Sequence, residues 1–305
     1  MHLLLLALAI ETVAANAVLD EPFAVAKDRA GNLYICEHNG QRITKVDRAG
    51  AVTRFAGTGK PGYAGDNGPA AAASLRDPHG IAVGPDDRMY VADTENHAVR
   101  RIDLRTGVIT TIAGTGVRGF SGDGGPAVQA RFDGVYGVAL DPGGRRLYVA
   151  DLGNRRIRMI DLRSGVIATV AGNGSRGVPP DGAPAAASPL VDPRAVAAGG
   201  GGAVYILERS GNALRVLDRR GRIRTLIASG TVQPDLKGPK HLCVARDGSV
   251  IIADAENHLV RKYANGVLTT LDTGPLKRPH GVYVDRAGAL YICDTYNNRI
   301  LKTRP

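Results

Sequence analysis

Along most of its length the chain alternates short apolar runs with tight Gly, Asp and Asn turns. The pattern recurs. Stretches such as PFAVAKDRAGNLYICEHNGQRITKVD from Pro22, PHGIAVGPDDRMYVADTENHAVRRID from Pro78 and VYGVALDPGGRRLYVADLGNRRIRMID from Val135 can be laid over one another. PRAVAAGGGGAVYILERSGNALRVLD from Pro193, PKHLCVARDGSVIIADAENHLVRKYA from Pro239 and PHGVYVDRAGALYICDTYNNRILKTR from Pro279 complete the set. Each copy reads as an apolar run, a turn, a run such as LYVAD, a polar turn, a run such as RIRMID and a fourth such as GVITTIAG. Four short strands with tight connections make one antiparallel meander. The inner runs are apolar at nearly every position, as a strand is when both faces of its sheet are covered. Six meanders stacked around an axis provide that cover. The expected fold is therefore all-β, a single six-bladed β-propeller over 1–305, with blades starting near 22, 78, 135, 193, 239 and 279.

Two columns of the repeat have a backbone reading. Glu37, Asp93, Asp151, Glu208, Asp254 and Asp294 end the second strands and are expected to accept N–H groups of the following turn. Three places on stand Gly40, Asn96, Asn154, Gly211, Asn257 and Asn297, a Gly/Asn exchange that predicts a left-handed turn residue. GTGKPGYAGDNGPA, GTGVRGFSGDGGPA and GNGSRGVPPDGAPA lead through a Pro into a strand, whereas a nucleotide loop opens a helix. They read as connections between blades. GGGG at 199–202 is expected to loosen the first hairpin of blade four.

The repeats resemble the NHL family, whose motif centres on D-x-x-N-x-R-I/V after a YVAD-like strand, with DLGNRRI (Asp151 to Ile157) and DTYNNRI (Asp294 to Ile300) nearest to it. Blade four departs from it most, with ERSGNAL. The resemblance implies a propeller, and a family that spans enzymes, RNA-binding domains and protein-interaction modules, so fold alone leaves function open.

The last repeat stops after its third strand. IETVA near the start resembles the fourth-strand ITTIA and IATVA, so residues 1–21 are expected to supply the outer strand of blade six and the lead-in. The rival reading is a secretory signal, LLLLALAI followed by Ala15-Asn16-Ala17, without a basic residue in front. The compartment thus stays open between cytoplasm and export, and the run is too short to span a bilayer.

A formal charge of +10 favours anionic partners. Of the three cysteines, Cys36 and Cys293 stand where other repeats hold Ala, and neither a disulfide nor a metal site follows for the set. There is no G-x-S-x-G elbow for a serine nucleophile.

Candidate chemistry sits just after the Pro column, where first strands face one mouth of the central channel: Phe23, His79, Tyr136, Arg194, Lys240 and His280. A structural column repeats one residue type; this one varies and is mostly polar. Arg194, Lys240, His241 and Phe23 are candidate ligand-binding residues, the cations for a small anionic molecule. His79, His280, Tyr136, Glu95 and Glu256 are candidate acid–base residues for lyase or hydrolase chemistry, with Glu37 also near the mouth. Pro78-His79-Gly80 and Pro279-His280-Gly281 are similar to the P-H-x zinc-ligand contexts of the peptidyl-hydroxyglycine amidating lyases. That resemblance implies one zinc held by His79 and His280. Blade four should provide the third ligand but offers Arg194, which cannot ligate zinc. The alternative function is a platform for protein or nucleic acid, resting on net charge and on Arg100, Arg101, Arg155 and Arg158 taken as exposed. Few aromatics are present for stacking single-stranded RNA.

Overall fold

In the computed structural model, which describes residues 10–15 and 17–303, short apolar runs become strands of four to six residues and no α-helix forms among those residues. The strands make six antiparallel sheets around one axis. Their innermost strands are Pro22–Lys27, Pro78–Val83, Val135–Leu140, Pro193–Ala198, His241–Val244 and Gly281–Val284. Of the second strands, Leu33–Glu37, Val250–Asp254 and Leu290–Asp294 are buried at every position and the other three at all but one. Blade stacking covers both their faces, which explains their unbroken apolarity. No helix among the described residues is long and apolar enough to cross a membrane.

Ile10–Val13 pairs antiparallel with the last strand, Arg299–Thr303, so the outer strand of blade six comes from the start of the chain. Most of LLLLALAI and Asn16 of the alternative cleavage site lie outside the described residues. The chain is also latched across this junction: Glu21 N–H donates to Asn298 Oδ1, and Thr295 Oγ1 donates to Pro22 O.

The acidic column serves the repeat, but not as expected. Its carboxylates accept the N–H of the segment entering their own blade, Arg76 for Asp93, Asp133 for Asp151, Lys237 for Asp254 and Lys277 for Asp294, rather than of the turn that follows. The Asn column is corrected too. The left-handed residue lies one place later, at Gln41, His97, Arg155, Asn212, His258 and Asn298. Asn96, Asn154, Asn257 and Asn297 instead hold the carboxylate through their side-chain amides. Where the acid is Glu, the longer side chain fills the amide's place. A Cβ on Gly40 would lie 3.0 Å from Glu37 Cβ, and one on Gly211 3.1 Å from Glu208 Cβ, hence glycine there.

Arg100 and Arg158, expected at the surface, are fully buried, because each reaches inward to the acid of its own blade. Each also binds an aspartate of the preceding Gly-rich connection, Asp66 and Asp123. Arg101 and Arg155 are half-buried. The connections 57–77, 114–134 and 172–192 lie along the outer edge of the next blade, through bonds such as Ala70 N to Gly107 O and Ala127 N to Gly165 O. GGGG does not loosen blade four. Gly200–Gly202 closes a tight turn and the hairpin pairs in full from Pro193 to Ala198. The three thiols are free; Cys36 and Cys293 are buried in the alanine-sized place and Cys243 is half-buried.

Candidate functional site

The innermost strands approach closely because the place after the variable column is small: Ala24, Gly80, Gly137, Ala195 and Gly281. A Cβ on Gly281 would lie 2.4 Å from Phe23 O, so no side chain fits at that position. His241 is the exception in blade five. This narrowing draws Phe23, His79, Tyr136, Arg194, Lys240, His241 and His280 around one small space of about 10 Å³ at the channel mouth. That is room for about one water-sized group.

The mouth has two unlike halves. Blades six, one and two give a packed ring cluster, in which Phe23 is sandwiched between His38 and His280 at centroid distances of 4.3 and 4.2 Å. His79 meets Phe23 edge-on at 5.0 Å and Tyr136 at 4.5 Å. His38 was not legible as a member, since it lies outside the variable column, on the turn after the second strand. The other half is cationic. Arg194 lies over the Tyr136 ring at 4.8 Å, and Lys240 sits 3.4 Å from Glu256. Glu256 in turn is held by Arg278 at 2.6 Å, and Arg278 also bonds Tyr296 Oη.

Arg194 is 6% exposed, yet among the described residues it has no hydrogen bond and no carboxylate within ion-pair distance. Burial, and then the charge of Arg209, bring its guanidinium down to about 10. Burial and the charge of Arg194 likewise bring Lys240 down to about 8. A buried cation that feels only a longer-range attraction to Asp192 is costly, and such groups concentrate at sites that bind or react.

The two P-H-G histidines share one geometry. Nδ1 of His79 is 2.8 Å from Asp77 O and that of His280 is 3.0 Å from Arg278 O. A carbonyl can only accept, so Nδ1 carries the proton and the neutral ring keeps a lone pair on Nε2. Burial, reinforced by Arg194, holds both rings well below the usual imidazole range. His241 accepts weakly from Val282 N–H, and burial brings it down to about 4.

The carboxylates divide. Glu256 does not line the space but reaches the mouth through its ion pair with Lys240. Glu37 does not reach it: it is fully buried on Arg42, Thr44 and the Asp20 N–H. Glu95 is exposed and lies outside the residues that line the space. The donor set does not fit zinc. Among the described residues no three His, Cys, Asp or Glu come close enough to hold a metal. At the third blade position stands a cation, and Phe23 packs against both histidines.

The NHL repeat model matches residues 75–102, 236–263 and 276–302, which fall in blades two, five and six. Among curated proteins, the chain is 26% identical to the chloroplastic protein SUPPRESSOR OF QUENCHING 1 of Arabidopsis thaliana, over 94% of this chain and 30% of that protein. It is 28% identical to NHL repeat-containing protein 2 of Gallus gallus, over 50% of this chain and 23% of that protein. The chain thus spans less than a third of the length of these relatives. A virginiamycin B lyase from Staphylococcus aureus superposes with a TM-score of 0.60 over 98% of this chain and 99% of that one. The two are 16% identical, a likeness of fold. Repeat pattern, matched segments and architecture agree: the chain carries NHL repeats in blades two, five and six and folds as a six-bladed β-propeller.

Proposed function

We propose that the channel mouth binds one small anionic group, a carboxylate or an anion of similar size, between Arg194 and Lys240. The carrying observation is the buried Arg194 guanidinium, which lies over Tyr136 but among the described residues has no hydrogen-bond acceptor and no carboxylate within ion-pair distance. An anion would supply both the counter-charge and the hydrogen bonds that the site lacks. The narrow space admits one oxygen of the charged group, while the rest of the ligand lies over the mouth toward Arg278 and Tyr296. There Nε2 of His79 or His280 serves as a base once a bound anion offsets the charge of Arg194 that holds both rings low, with Tyr136 Oη as a proton donor, for lyase or hydrolase chemistry. The resemblance in fold to a lyase makes elimination the first reaction class to assay.

Calorimetric titration with formate, acetate, sulfate and phosphate tests the binding step. Arg194→Met should weaken the best-bound anion by about tenfold or more. It should leave the melting temperature unchanged or raised, since a buried unpaired cation is replaced by an apolar chain of similar length. Equal affinity in the variant would overturn the reading.

A further inference from the structure

Outside the channel, the junctions between blades differ. Connections 57–77, 114–134 and 172–192 fill the first three junctions, burying Leu75, Phe132 and Leu190. The connections 228–240, 271–280 and 14–21 are shorter, although two of them also bury a leucine, Leu236 and Leu19. Cavities of about 740, 330 and 620 Å³ lie at those three junctions. The largest, between blades four and five, has a distinct character. Half-buried Tyr205, Val216, Leu226 and Tyr263 form its floor. Exposed Arg219, Arg220, Arg222 and Arg224 form its rim, and none of the four makes an ion pair among the described residues. The acidic side chain of the lining, Asp218, is engaged by the N–H groups of Arg220 and Arg222.

We infer that this groove is a docking site for an acidic peptide segment that carries aliphatic side chains. Charge complementarity selects the acidic residues: the guanidinium groups of Arg219, Arg220 and Arg224 can each fork onto a carboxylate, while Arg222 already donates Nη1 to Gly182 O. The apolar floor, which the shorter connection covers only in part through Val232 and Leu236, takes the aliphatic side chains between them. Single rim pairs are weak, so affinity comes from their number together with the buried floor.

Fluorescence anisotropy with a labelled peptide alternating Glu and Leu tests this on the full chain. R219E/R224E should weaken binding by about tenfold or more, and should keep the wild-type melting curve because both side chains are exposed. R105E/R163E changes net charge equally at exposed turns of blades two and three, and should shift affinity less than about twofold. Replacing Glu by Gln in the peptide should abolish binding. Equal loss in the two double variants would reduce the effect to net charge and overturn the inference. So would tighter binding of an oligouridylate of equal charge, which would assign the groove to nucleic acid. R194M should bind the peptide as the parent does, so this result stands or falls separately from the channel site.

Discussion

One residue type plays two opposite parts here. Arg100 and Arg158 are fully buried against carboxylates of their own blades, whereas Arg194 is buried against rings and other cations. The contrast singles out Arg194, because the other buried guanidinium groups, of Arg100, Arg158, Arg215 and Arg261, each meet a carboxylate of their own blade. Lys240 then gives the site a pH signature. With a folded value of about 8, below the unfolded value of 10.5, the folded chain has lost this proton between the two while the unfolded chain keeps it. This group therefore makes the fold more stable as pH rises through that window. Anion binding runs the other way, since it needs the charged amine. Affinity should fall as pH rises through about 8, with proton uptake on binding, in calorimetry repeated in buffers of different ionisation enthalpy. A flat profile from pH 7 to about 9.5 would remove Lys240 from the site. Packing at this scale is also testable through the exchange of Glu–Gly for Asp–Asn. Gly211→Asn alone should cost about 1–3 kcal/mol against Glu208, and Glu208→Asp in addition should restore most of it in thermal melts. The variable column was legible because the repeat fixes its register. The partners of the acidic column were not, since the N–H groups they accept lie 17 or 18 residues earlier, beyond any local turn rule.

At the scale of elements, the Gly-rich connections are structural parts of the blades they lead into. Asp123 receives Nε and Nη2 of Arg158 and the hydroxyl of Thr169, tying the connection to the third and fourth strands of blade three. Asp123→Ala would leave a buried guanidinium short of acceptors and should cost about 1–3 kcal/mol. Asp181→Ala, which loses one bond to the Thr225 N–H, should cost less, and urea melts would rank the two. An equal cost would mean that Asp123 acts only on its own turn. The sequence shows these segments as connections because they carry Pro and Gly between apolar runs. It hides their role along the outer edges, which depends on bonds to strands still further along the chain, such as Gly124 N–H to Ile167 O.

For the whole molecule, six similar blades make an asymmetric ring. Three junctions are filled by long connections and three are open, and the mouth is aromatic on one side and cationic on the other. The six-fold repeat was readable by eye, since identical blades must bury identical faces. What breaks the symmetry was only half readable: the variable column is written in sequence, but its sorting into rings and cations depends on which blades are neighbours. The central claim is that the cationic half holds an anion. Anomalous diffraction from crystals grown in bromide tests it most directly. The account predicts a bromide peak in the channel mouth in contact with the Arg194 guanidinium and near Lys240 Nζ. Bromide bound elsewhere on the surface, with none beside Arg194, would contradict it.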